Sequence, residues 1–199
     1  VTFPFMNLAA AFGALVGVGA STIVSVKLGQ KDYTSARKAL GNVVALNIII
    51  GVMFMVVSLL FLDKILLFFG ASENTLQYAR EYMEIILYGN VVTHMYLGLN
   101  AVMRSGGHPQ RSMAMTILTV ILNAILDPIF IFVLDWGIRG AAIATILAQI
   151  VALTWILISF TNKQEMLHFE SGIFKLDRRI VTASLSIGMA PFLMNVAAC

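Results

Sequence analysis

Charge disappears from this chain in six long stretches, and those stretches set its architecture. Val1–Val26, Ala39–Leu62, Ile85–Met103, Gly140–Asn162 and Ile180–Cys199 contain no Asp, Glu, Lys or Arg, and Ser112–Leu134 contains one, Asp127. Each is close to the ~20 residues that a helix needs to cross the hydrocarbon core of a bilayer. None alternates apolar and polar residues in segments of about ten, as a transmembrane β-strand would. The pattern predicts an all-α, polytopic helical membrane protein with about five complete transmembrane helices plus most of a sixth. The chain opens at Val1 inside one apolar run and closes at Cys199 inside another. It has neither an initiator Met nor the basic start of a signal peptide, so it reads as part of a longer protein.

The breaks between spans carry the charge, and their signs give an orientation. Lys27, Lys31, Arg37, Lys38, Arg104, Arg111, Lys163, Lys175, Arg178 and Arg179 fall on one side, and the other 3 of the 13 basic residues, Lys64, Arg80 and Arg139, on the other. Basic residues concentrate in cytoplasmic loops. Loops 27–38, 104–111 and 163–179 are therefore expected in the cytoplasm, with a cell (inner or plasma) membrane as the location. On the opposite side, Phe69-Gly-Ala-Ser-Glu73 reads as a helix stop followed by a Ser N-cap. Asp135–Arg139 reads as a tight turn, with Trp136 in the interfacial belt. The segment 163–179 interleaves Met166, Leu167, Phe169, Ile173, Phe174 and Leu176 with charge. It is expected to lie along the membrane surface and is the one candidate linker between two halves.

Composition narrows the function. The chain is 59% hydrophobic and 12% charged, against about 25% charged in a soluble domain, and its mean hydropathy is +0.90. The net charge of +3 reflects membrane topology. No basic stripe with interleaved aromatics points to nucleic acid, and a single cysteine excludes an intrachain disulfide framework. There is no metal-ligand spacing, phosphate-cradling loop or nucleophile elbow. Gly17-Val-Gly19 lies in an apolar span and is no dinucleotide fingerprint. The chain is not read as an enzyme, no cofactor is expected, and no obligate protein partner is inferred.

Asp127 stands out. A carboxylate at membrane depth costs about 2.5–3.5 kcal/mol on insertion scales, and such residues commonly handle an ion or substrate. With Gly137 as the apex of the Asp135–Arg139 turn, Asp127 lies ten residues before it and Thr145 eight after. At 1.5 Å rise per residue the two sit at nearly one depth on antiparallel helices, and Asn123 lies one turn from Asp127 on its face. A carboxylate, an amide oxygen and a hydroxyl are hard ligands suited to a small cation, or to a proton on the carboxylate. Pro128 lacks an N–H and crowds the carbonyl of Ala124, leaving another oxygen free. Two readings stand: an ion site, or a structural aspartate bonded to a neighbouring helix. Thr145 alone is weak, because a threonine within a span commonly bonds its own backbone. Asn123 alone is interhelix glue. Tyr88, Asn90, His94 and Asn100 make the third span the most polar and are candidates for lining a cavity, with packing as the alternative. Gly13, Gly17 and Ala20 read as a close-packing face.

Several segments resemble the MATE family, the multidrug and toxic compound extrusion transporters. They are Gly17-Val-Gly-Ala-Ser-Thr with Lys27-Leu-Gly-Gln-Lys-Asp and Ala36-Arg-Lys-Ala, then Arg104-Ser-Gly-Gly-His-Pro. The most specific is Asn123-Ala-Ile-Leu-Asp127-Pro-Ile-Phe, continuing through Trp136-Gly-Ile-Arg-Gly-Ala-Ala-Ile-Ala-Thr145. The resemblance implies a two-lobe fold of twelve helices. Residues 1–162 would be the amino-terminal lobe from its second to sixth helices, 163–179 the inter-lobe linker and 180–199 the start of the carboxy-terminal lobe. It implies efflux of drugs and toxic, often cationic, compounds by antiport with Na⁺ or H⁺. It implies a cation site of Asp127, Asn123 and Thr145 with the backbone carbonyl of Ala141, completed by an Asp on a first helix that this chain does not include. A lipid-linked saccharide flippase of the same superfamily is the alternative. Such a cavity tends to be more basic, whereas no Lys or Arg lies mid-span here. A non-transporting scaffold or a channel is the third reading.

Overall fold

The computed structural model describes residues 2–170 and 176–197. It is a helical bundle of α1 (Thr2–Gly29), α2 (Tyr33–Leu60), α3 (Leu62–Phe68), α4 (Glu73–Tyr88), α5 (Asn90–Ser105), α6 (Pro109–Pro128), α7 (Gly137–Thr161) and α8 (Arg178–Ala197). Among the described residues, five helices are long and apolar enough to cross a membrane, and a sixth span results if α4 and α5 count as one. The chain is a multi-pass membrane protein.

Local chemistry sets the helix boundaries. Lys31 turns the chain at φ 58, and Asp32 caps α2 by accepting from the Ser35 N–H at 3.1 Å. Gly70, at φ 89, ends the short α3, and Ser72 opens α4 through a reciprocal capping box with Thr75. Gly107 at φ 95 precedes Pro109, which sits in the first turn of α6 where its missing N–H costs nothing.

Two elements depart from the sequence expectation. The third span is longer than Ile85–Met103 and is broken: α4 and α5 meet at Gly89 with a bend of 55°. A Cβ on Gly89 would overlap the Ile146 side chain of α7, so glycine permits the approach. The fourth span is not one α-helix through Leu134. After Pro128 it widens into a π turn, Ile129–Val133, closed by Leu134 N–H on the Ile129 carbonyl at 2.9 Å. A proline that removes one ladder bond and crowds the preceding turn favours such a register change.

The centre is packed by α1, α2, α5 and α7. Val16, Leu40, Val43, Leu99, Val102 and Ile156 are all 0% exposed. Small residues let the backbones approach. Ala144, Ala148 and Ala152 make a buried stripe on α7. A Cβ on Gly17 would come within 3.1 Å of Gly98 Cα on α5. The tightest crossing joins α1 and α8, where Gly19 lies against the Ser184 carbonyl and Gly188 against the Leu15 carbonyl, leaving no room for a side chain at either glycine.

The loops sort by charge. At one end Ser25 donates to the Ser105 carbonyl at 3.3 Å, and Asp177 N–H donates to Asn42 Oδ1 at 2.9 Å. At the other end Arg80 pairs with Asp63 at 3.2 Å and Glu84 at 2.8 Å, and Arg139 with Glu81 at 3.2 Å. Within the segment expected along the membrane surface, residues 163–170 fold back as a strap against the helix ends. Leu167 is buried against Gly106, Phe169 N–H bonds the Phe160 carbonyl at 2.8 Å, and Arg37 pairs with Glu170. Glu165 holds both Arg111 and His108, at 2.8 and 2.9 Å. The same stretch brings Glu170 within reach of α2 and Glu165 within reach of α6. Ile173 and Phe174 lie outside the described residues.

Candidate cation site and adjoining cavity

Asn123, Asp127, Ala141 and Thr145 meet across the α6–α7 interface. The Asn123 amide donates to Asp127 Oδ1 and to Thr145 Oγ1, each at 3.2 Å. The Thr145 hydroxyl donates to the Ala141 carbonyl at 3.0 Å. Thr145 therefore makes the backbone bond usual for a threonine in a span and still has lone pairs facing α6. The turn that positions it is closed by its own contacts. Trp136 N–H donates to the Phe130 carbonyl at 3.1 Å, and the two rings stack at 5.4 Å. Gly140 packs on the Phe130 backbone.

The chemistry of the cluster is acidic and oxygen-rich. All three side chains are half-buried. Among the described residues, no Lys, Arg or His pairs with Asp127. A carboxylate with one amide contact and no cation partner is the arrangement in which an incoming cation or proton gains most. The Asn123 amide nitrogen gives the Asp127 carboxylate one hydrogen bond. Rotation of that amide would present its oxygen to an ion.

Beside the cluster lies a cavity of about 240 Å³, walled by α1, α4, α5 and α7. Its polar lining is Asn7, Asn90, Thr93, Thr145 and Gln149. Thr145 belongs to both cluster and cavity. Thr93 donates to Gln149 Oε1 at 2.6 Å. Of the third-span residues singled out above, Asn90 is on the cavity wall and also donates to the Gly51 carbonyl at 3.1 Å. His94 is fully buried, and its Nδ1 holds the Asn90 carbonyl at 2.8 Å. Asn100 bonds Thr116 at 3.1 Å and the Ser112 hydroxyl, joining α5 to α6. Tyr88 is 66% exposed and is not among the residues of the cavity wall. Gln149 escaped a reading keyed to charge. Its signal is a polar residue one turn beyond Thr145 in an otherwise apolar helix.

Among the described residues, apolar helices long enough to span a membrane thus hold a carboxylate without a cation partner beside a cavity. The chain belongs to the MatE family, whose model matches residues 1–129. It is 32% identical over 196 residues to the multidrug export protein MepA of Staphylococcus haemolyticus (strain JCSC1435), covering 98% of this chain and 43% of that protein. Among solved structures it resembles an inward-facing multidrug resistance MATE family transporter of the MOP superfamily with TM-score 0.93 and 27% identity, over 98% of this chain and 45% of that one. An outward-facing transporter of the same description matches with TM-score 0.91 and 28% identity, over 98% and 44%. The kinship is with transporters and not enzymes. The chain spans less than half the length of these relatives.

Proposed function

We propose that this chain forms part of a secondary active exporter of lipophilic, often cationic, drugs, and that Asp127 binds and releases the coupling Na⁺ or H⁺. Asn123, Thr145 and the Ala141 carbonyl complete its side of the site. In this reading residues 1–162 belong to one lobe, 163–179 link it to the next and 180–199 begin the second. The basic end faces the cytoplasm of a cell membrane, and no cofactor is involved. The observation that carries the reading is the Asn123 amide held between Asp127 and Thr145, with Thr145 also lining the cavity. An ion arriving at Asp127 neutralises a charge that membrane depth penalises. The change reaches the cavity wall through one hydroxyl. An ion shifts the conformational equilibrium only by its differential affinity for the two states, with each tenfold difference worth about 1.4 kcal/mol.

The test is drug efflux from proteoliposomes of the full-length protein under an imposed Na⁺ or H⁺ gradient. Asp127→Asn keeps the shape and removes the charge. It should abolish gradient-driven efflux while leaving folding and insertion intact. Thr145→Ala should weaken coupling least, and Asn123→Ala should fall between the two. Gradient-responsive transport by Asp127→Asn at the wild-type rate would make Asp127 structural.

A further inference from the structure

The α1–α8 seam opens at the basic end of the bundle into a groove of about 290 Å³, away from the cation cluster. Its walls are apolar: Val26 from α1, and Ile180, Ala183 and Ile187 from α8. Lys27 and Arg179 form its rim. From Arg179 to Ile187 the groove follows α8 for about 12 Å, at 1.5 Å per residue. Arg179 and Ala183 also border a shallower depression shared with Arg178, Thr182 and Ser186. The site is thus apolar below, cationic at the lip and polar beyond it.

The charge at the lip is unbalanced. Arg178 and Arg179 are exposed and make no ion pair among the described residues. The adjacent acid, Asp177, is already engaged. Its carboxylate accepts from Arg179 N–H at 2.9 Å, and its own N–H donates to Asn42. Lys27 lies 3.4 Å from Asp32, but that carboxylate also caps α2. Lys27, Lys31, Arg178 and Arg179 therefore outnumber Asp32 and Asp177 locally. Cations at a membrane interface above an apolar channel between two helices match a lipid with an anionic headgroup. The long Lys27 side chain can lay its stem on the groove wall and keep its ammonium at headgroup level. A zwitterionic lipid has the same chains but no net charge to offer.

We infer that the α1–α8 groove is a binding site for one anionic phospholipid, its phosphate on Lys27 and Arg179 with Arg178 beside it, and an acyl chain along Val26, Ala183 and Ile187. This does not rest on the efflux reading, since the groove is lined by none of the cluster's residues. Native mass spectrometry of the intact protein in detergent, with phosphatidylglycerol or phosphatidylcholine of identical chains, tests it. Phosphatidylglycerol should be retained preferentially. Lys27→Gln with Arg179→Gln should weaken its retention by roughly fivefold per cation removed and leave phosphatidylcholine unaffected. Ala183→Phe fills the groove without changing charge and should also lose the lipid, and soluble glycerol phosphate should not compete. Because Lys27→Gln also releases Asp32, Arg178→Gln with Arg179→Gln gives a second variant that breaks no ion pair. Equal retention of the two lipids by the wild type overturns the site. So does undiminished phosphatidylglycerol preference in the second variant, or displacement by glycerol phosphate alone.

Discussion

Replacing Gly188 with alanine should loosen the seam between α1 and α8, even though alanine is the better helix former. In an unconstrained helix the change would stabilise by about 1 kcal/mol. Here the new methyl would overlap the backbone carbonyl of Leu15, which cannot turn aside as a flexible side chain could. The helices must separate locally. A gap of 0.5–1 Å forfeits a quarter to a half of each atom-pair attraction of ~0.1–0.2 kcal/mol. If the crossing engages as many pairs as one buried leucine, about 40–60, the loss spans about 1–6 kcal/mol, with a midpoint of ~3 kcal/mol. The net destabilisation expected at that midpoint is about 2 kcal/mol. Gly29→Ala is the control. It lies in the last turn of α1 with nothing within 4 Å of the added methyl, so it should be neutral or mildly stabilising. Thermal unfolding in detergent, followed by intrinsic fluorescence, compares the two. Equal melting temperatures for wild type, Gly188→Ala and Gly29→Ala would refute the claim that backbone contact sets this crossing.

Two further outcomes follow from hydrogen bonds and charge. Ser112→Ala removes the hydroxyl that joins Asn100 to α6 in a buried setting. It should cost about 1–3 kcal/mol, measured by denaturant unfolding, and Asn100→Leu in the same background should recover part of that loss. Glu165 is held below the usual carboxylate range, chiefly by its bond to Arg111 and further by His108, against an opposing effect of burial. A lowered folded-state value means its contribution is present above the ordinary carboxylate range and is lost as pH falls through the depressed value. The strap should therefore stay docked through neutral pH and loosen only in acid. Glu165→Gln should loosen it at neutral pH, seen as faster hydrogen exchange over 165–170 with α5 unchanged.

The legible parts of this molecule are those where one residue type decides locally. The turn at Asp135–Arg139 fixes the depth of Asp127 against Thr145, so their convergence with Asn123 follows from counting along two helices. The Gly70 stop and the Ser72 cap follow from backbone conformation and side-chain reach. The break at Gly89 is hidden because glycine is common in membrane helices and bends one only where a neighbour intrudes, here Ile146. The π turn is half visible. Pro128 announces a lost ladder bond, but not whether the helix kinks or widens. The polar wall of the cavity draws on α1, α5 and α7 at once, so Gln149 is meaningful only after Thr93 and Asn7 are placed beside it. The strap is the least legible, since Arg37 on α2 and His108 and Arg111 at the start of α6, distant in sequence, together decide that 162–170 turns inward.

That strap also sets a clock. Arg37 and Glu170 are 133 residues apart in the chain, and Asn42 and Asp177 are 135 apart. A ribosome working at about 5–20 residues per second needs about 7–27 seconds to connect the two. During that interval α2 is already made, while the partners that secure its polar end do not exist. Early helices must be held by the translocon and by one another, through seams such as Gly17 against Gly98. The arrival of Glu170 and Asp177 is then the event that fastens the polar end of α2.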